Sequence, residues 1–212
     1  SSWARFFARF PSSPNDVVYG LVGWVYGLKT VERWGNARPG QTSLTNADYE
    51  RIVRTLVVPA YNGARAPRVV WETSRGAVTT DLNALDAPLA TDNLLQLAAR
   101  GAIKGVRFER VVPNFVAQQE SVLTDEPLQR DEISRGRLVR TNLSWASSIA
   151  GQGKRGPGSS YDTGPAAYTF AQTVQPDNEG DFTALGRIVD GMKVVDRLEL
   201  GDYVNSVRIV RG

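Results

Sequence analysis

A chain of 212 residues can bury one sizeable core, or one domain with an extension. It has no Cys and no His, which excludes disulfides, thiolate or imidazole metal sites and any His-based catalytic triad, and leaves carboxylate chemistry, Lys or Ser nucleophiles, or catalysis by binding and desolvation alone. The formal charge of +3 is uneven: residues 1–66 carry eight Lys or Arg against four Asp or Glu, a small basic excess that suits an anionic surface or acidic partner but lacks the dense stripe of a nucleic-acid binder.

In chain order, the first feature is an aromatic leader over residues 1–40. Trp3, Phe6, Phe7 and Phe10 recur at i, i+3, i+4 and i+7, which places them on one stripe of a helix, with Arg5 and Arg9 off the stripe and Pro11 ending it. Such a helix docks on its own domain or a partner, or lies in the plane of a membrane interface. The run Val17–Leu28, which includes Trp24, is apolar for 12 residues with Gly20, Gly23 and Gly27 inside it. A spanning helix needs roughly 20 apolar residues, and Lys29, Glu32 and Arg33 follow, so no transmembrane span is expected and the run reads as a segment buried against something else. Trp3, Phe6, Phe7, Phe10 and Trp24 are the candidate docking residues.

Residues 41–66 read as a linker and a short helix. Thr45 followed by Asp48 makes a capping box, and Tyr49, Ile52, Val53 and Leu56 form one apolar stripe that is expected to end at Pro59 and to pack on the domain that follows. That domain is placed at 67–212. From Val69 onward short alternating strands separated by turn residues predict a barrel. Helical periodicity is confined to about 87–100, where Leu94, Leu95, Leu97 and Ala98 would cap one end, and 190–199, where Val194, Val195 and Leu198 would cap the other.

Residues 106–118, VRFERVVPNFVAQ, are the most informative stretch. They resemble the cyclophilin signature F-H-R-V-I-P-x-F-M-x-Q, with Phe108, Arg110, Val111, Val112, Pro113, Phe115 and Gln118 in place, and with Glu109 for His and Val116 for Met. The resemblance runs from about Arg68 to Arg211. Ala87, Pro88 and Asn93 stand where A-P-x-t-x-x-N is usual, and DFTALGRIVDGMKVVDRL resembles Y-T-V-F-G-R-V-x-x-G-M-x-V-V-D-x-I, with Gly186, Gly191, Met192 and Asp196 in place.

The resemblance implies a mainly β fold: a closed eight-stranded antiparallel cyclophilin-like barrel capped by two helices, here with a helical or irregular N-terminal extension. It implies peptidyl-prolyl isomerase chemistry, which needs neither metal nor cofactor because no bond is made or broken. The X-Pro amide has a rotational barrier of ~18–20 kcal/mol, and a guanidinium donating to the prolyl nitrogen as the amide twists stabilises the twisted state. Arg110 would be that donor, and the groove would comprise Phe115, Val116, Gln118, Ala146, Ser147, Ala167, Thr169 and Phe182.

Parts of the groove depart from the family pattern. The G-S-Q-x-F-I segment falls on Pro165 to Phe170, so that Gln becomes Ala167 and Phe becomes Thr169. Asp177 and Asn178 occupy positions that usually carry Trp or His and Leu, and Phe182 replaces a His or Tyr. The family's G-G-D after Gln118 is Gln119, Glu120 and Ser121, and a Gly-rich insertion with Lys154 and Arg155 precedes Pro165, reading as a surface loop or an arm that reaches a partner.

The expected function is therefore a cyclophilin-like domain with a degenerate active site, used as a binding or structural module. A membrane-extrinsic subunit of a respiratory or photosynthetic assembly, bound to protein partners, fits the leader. The alternative is an active exported isomerase or folding factor that takes proline-containing peptides. A start at Ser1 is consistent with signal-peptide removal and equally with a trimmed chain, so the expected location is exported or periplasmic, peripheral to a membrane.

Overall fold

The computed structural model describes residues 45–120, 132, 142–146, 167–175 and 182–210, with 142–146 described through their backbone. The leader with Trp3, Phe6, Phe7, Phe10 and Trp24, the insertion, and Asp177 and Asn178 lie outside the described residues.

Helix α1 (Asn46–Ile52) opens with the expected capping box. The Thr45 side chain accepts from the Asp48 amide at 3.2 Å, and Asp48 Oδ2 accepts from the Thr45 amide at 2.9 Å. Burial pushes the Asp48 carboxyl up, but these bonds and nearby Arg51 hold it below its ordinary value.

Pro59 does not end the helix. The chain passes into a π-helical turn (Val53–Val57), in which the Val58 amide bonds the Val53 carbonyl, and then into α2 (Val58–Tyr61) with Pro59 in its first turn. There the missing proline N–H would have had no intrahelical partner in the new segment, and the wider turn removes the clash that an unbroken α-helix would impose. The helix stops instead at Gly63, whose φ of 81° supports a Schellman cap: the Gly63 amide bonds Ala60 and the Ala64 amide bonds Pro59. Tyr49, Ile52, Val53 and Leu56 are buried, as the stripe predicts, and Val57 is buried with them.

The next elements are the hairpin β1 (Arg68–Thr73) and β2 (Gly76–Leu82), then α3 (Pro88–Ala99). The chain continues through β3 (Phe108–Val112), β4 (Val116–Gln119), β5 (Asn142–Ala146), β6 (Ala167–Ala171), β7 (Thr183–Asp190), the single turn α4 (Met192–Val195) and β8 (Val204–Val210). The strands form one eight-stranded antiparallel sheet in the order β3-β4-β6-β5-β7-β2-β1-β8.

The two end strands meet through an isolated bridge, Arg107 opposite Tyr203, rather than through a ladder. Around it the Gly105 amide donates to Val204 O at 2.7 Å, the Val204 amide to Val106 O at 2.9 Å, and the Phe108 amide to Asp202 O at 2.7 Å. The barrel expected from the family pattern is thus seen as an eight-stranded sheet whose ends touch over a short segment.

One face of the sheet makes the core. Trp71 is fully buried between Tyr168 and Phe170, edge-on to both at centroid distances of 5.3 and 5.4 Å, and Phe108 leans on Phe170 at 5.9 Å. The Trp71 indole N–H is satisfied by Thr80 Oγ1 at 3.0 Å, a diagonal partner across the β1–β2 pair. Burial pushes the Tyr168 phenol up, against a hydrogen bond with Asn93.

On α3, Leu94, Leu97 and Ala98 are buried and Leu95 packs against them; at the other expected cap Val195 and Leu198 are buried with Val194 beside them. Helix α1 is tied to α3 by Arg51, whose guanidinium grips both oxygens of buried Asp92, one at 2.7 Å.

Candidate functional site

The site begins with the turn between β3 and β4. Pro113 fixes one central backbone angle and Asn114 takes a φ of 60°, so the Phe115 amide reaches back to Val112 O at 3.0 Å, the arrangement of a type II turn. The Phe115 carbonyl then accepts two bonds, from the Gln172 amide at 2.9 Å and from Gln175 Nε2 at 2.8 Å. Both glutamines are buried, and Gln172 also reaches Val195 O at 3.0 Å. The turn carrying Phe115 is therefore held by the chain that follows β6.

Regular alternation along β3 would put Phe108 and Arg110 on one face. A bulge between them changes this: Phe108 stays in the core opposite Gln119, while Arg110, opposite Gln118, is exposed. The register then runs Arg110 on β3, Gln118 on β4, Thr169 on β6 and Ser144 on β5. One position along, Val111, Ala117 and Phe170 form the matching row on the core side. Arg110 with Gln118, Thr169 and their neighbours Val116 and Ala167 thus share the outer face.

Two contacts draw these residues together. The Arg110 guanidinium carbon sits 5.5 Å from the centroid of the Phe115 ring, within cation–π range, and its Nη1 lies 3.4 Å from Gln118 Oε1, a long hydrogen bond. Val116, Gln118, Ala167 and Thr169 are all at most 7% exposed, whereas Arg110 is open to solvent. A donor-rich cation beside an aromatic ring, over a floor of small and amide side chains, suits an extended peptide whose ring rests against Phe115.

The other expected groove residues are placed less fully. Ala146 pairs with Ala167 in the β5–β6 register. Phe182 is half-buried immediately before β7, with no ring contact to the Arg110 row among the described residues. Ser147 lies outside the described residues. Gln172 and Gln175, which fix the Phe115 turn, were not singled out from sequence; two glutamines just after a strand carry no signal until their carbonyl partners are known.

Residues 68–211 match the family model for cyclophilin type peptidyl-prolyl cis-trans isomerase/CLD. The chain belongs to the cyclophilin-type peptidyl-prolyl cis-trans isomerase family. A peptidyl-prolyl cis-trans isomerase of Helicobacter pylori is 26% identical over 160 residues, covering 73% of this chain and 94% of the relative. A peptidyl-prolyl cis-trans isomerase-like 1 protein of Aspergillus oryzae is 33% identical over 161 residues, covering 69% and 94%.

The fold agrees. A cyclophilin-type isomerase of Cryptosporidium parvum superposes with a TM-score of 0.59 at 20% identity, over 69% of this chain and 99% of that one. The matched region begins at the first strand of this cyclophilin domain, so α1, the π turn and α2 precede it and are packed on it as an addition. Among the described residues no helix is long and apolar enough to cross a membrane.

Proposed function

We propose that the outer face of β3, β4 and β6 is a proline-peptide groove with weak isomerase activity, and that the domain serves chiefly as a binding module. What supports this reading is the Arg110–Gln118–Thr169 row, in which the cation is present and the wall opposite it is small. Arg110 donates toward the prolyl nitrogen as the amide twists, and Phe115 and Val116 hold the ring. Thr169 and Ala167 stand where the family pattern has Phe and Gln. A Phe-to-Thr change removes about 1.5–3 kcal/mol of apolar burial available to the ring. The sheet with its touching ends is read as the family's closed barrel, capped by α3 and α4.

The test is the rate of cis–trans exchange of an Ala-Pro tetrapeptide, followed by NMR. The expected result is weak catalysis that Arg110→Ala abolishes and that Ala167→Gln with Thr169→Phe raises. A rate equal to that of the Helicobacter pylori relative, lost with Arg110→Ala, supports instead the alternative of an active folding factor. No gain from the double substitution would count against the small wall as the cause.

The leader favours a second element of the reading, attachment to a membrane-associated protein complex. It rests on sequence: four aromatic residues on one helical stripe, with Trp24 in the apolar run that follows. In that setting the protein is peripheral to the membrane, on its exported or periplasmic side, and the cyclophilin domain is presented to partner proteins.

A further inference from the structure

We propose that Glu109 gives the groove a charge preference, favouring proline-containing peptides with Lys or Arg flanking the X-Pro unit over those with Asp or Glu there. The inference rests on the groove reading above and deepens it by naming the substrate class.

The bulge in β3 is the first observation. In a regular strand an outward Arg110 would have an inward neighbour, yet Glu109 and Arg110 are consecutive and both exposed, while Phe108 before them is fully buried. The extra residue brings a carboxylate to the solvent side directly beside the cation of the groove.

The second observation is that no described residue engages this carboxylate. Glu109 makes no ion pair or side-chain hydrogen bond among the described residues. Its neighbours are engaged: Glu120 Oε1 accepts from the Arg107 amide at 2.9 Å, and Arg110 lies over Phe115 and near Gln118. Arg107 is exposed as well, and it sits at the bridge to Tyr203, on the far side of Glu109 from the groove row.

Position along β3 puts the two charges at different distances from the turn. Arg110 leans toward the Pro113–Phe115 turn, where the proline ring is held, whereas Glu109 stands one residue farther from that turn along β3. A peptide with its proline at Phe115 therefore brings a flanking residue toward Glu109 while the guanidinium is occupied. An exposed pair of this kind is worth about 1.5- to 5-fold in affinity, and it is screened within roughly 8 Å at physiological salt.

The experiment titrates the full chain with hexapeptides containing one Ala-Pro unit, in two sets that vary the residue before Ala-Pro or the residue after it among Lys, Ala and Glu. In at least one set the Lys peptide should bind about threefold more tightly than the Glu peptide. That preference should vanish in high salt and in Glu109→Gln, and reverse in Glu109→Lys. Equal affinities in both sets, or a preference that survives Glu109→Gln, would overturn the proposal. The Ala peptides separate it from the groove reading: their binding, lost in Arg110→Ala, upholds the groove whatever the charge result. If no peptide binds the wild-type chain, the groove reading falls and this inference with it.

Discussion

Glu132 caps a helix far earlier in the chain, bonding the Leu89 amide 43 residues before it at 3.0 Å and the Ala90 amide at 2.9 Å with its two carboxylate oxygens. Helix α3 has no side-chain cap of its own, because its N-cap residue is Ala87. A buried negative charge thus meets two orphan amides at the positive end of the helix dipole. The Glu132 amide in turn donates to Thr183 Oγ1 at 2.8 Å, which ties the same residue to the start of β7.

Replacing Glu132 by Gln should destabilise the protein by about 1–3 kcal/mol, since the amide nitrogen cannot accept and one helix N–H is left buried without a partner. Glu132→Asp should not rescue it, because the shorter side chain cannot reach both amides. Urea denaturation reads the effect as a lower midpoint at unchanged slope. Full stability in Glu132→Gln would mean that water takes over the lost acceptor.

Thr80→Val tests the polar contact at the centre of the core. The shapes are nearly equal, so packing is kept while the Trp71 indole N–H, fully buried, loses its acceptor. The expected loss is about 1–3 kcal/mol. Trp71→Phe in the Thr80→Val background should cost less than the sum of the single changes, because the donor is then gone too.

What could be read from the residues was what depends on local pattern. The Thr45–Asp48 box, the stripe to Leu56 and the helices within 87–100 and 190–199 all depend on neighbours three or four residues apart, and the structure has each of them. The meeting of Arg110, Phe115 and Gln118 was implied by the family resemblance, and a tight hairpin is what fixes their register. The passage of the helix through Pro59 was not, since a π turn relieves the proline at no visible cost in sequence. Glu132, Gln172 and Gln175 were also illegible: each acts on a backbone group far away in the chain, and a lone polar residue in a loop does not announce such a partner.

Two glycines should resist substitution for different reasons. At Gly191 the backbone has a φ of 85° and an added Cβ would lie 2.3 Å from Ala77 O, so Gly191→Ala meets both strain and a clash. At Gly186 the obstacle is contact alone, with the Cβ 2.4 Å from Asp81 O where β7 pairs with β2. Both variants should lose at least ~1 kcal/mol. Gly63→Ala, with open space around it, should lose only the ~1 kcal/mol of its left-handed backbone. Thermal midpoints of the three variants check the ranking.

Acid should release one surface lock. Burial pushes the Asp202 carboxyl up, but bonds from the Glu199 amide at 2.7 Å, the Ser74 hydroxyl at 2.8 Å and Arg75 Nε at 2.8 Å outweigh it and hold the group below its ordinary 3.8. A lowered carboxylate contributes stability that is present above the unfolded value and lost as pH falls through the folded one. Stability should therefore decline below about pH 4. Asp202→Asn should be less stable at neutral pH and show a shallower decline. An unchanged acid slope in that variant would assign the decline to other carboxylates, of which Asp48 is one held low in the same way.

Two truncations separate the leader from the domain. Removing residues 1–40 leaves α1 intact, including its capping box and the Arg51 grip on buried Asp92. That protein should fold with an unchanged denaturation midpoint while losing co-purification with membranes, if the leader is the attachment device. Removing residues 1–66 leaves only the family domain, and it should be much less stable. Ile52, Val53, Leu56 and Val57, all buried, would be lost, and Asp92 would remain buried without its cation. Burial of four aliphatic side chains is worth at least ~3 kcal/mol after allowing for a compact unfolded state. Equal stability of the two truncations would show that α1 is a passenger on α3 rather than part of the core, and retained membrane association without residues 1–40 would move the attachment to the domain itself.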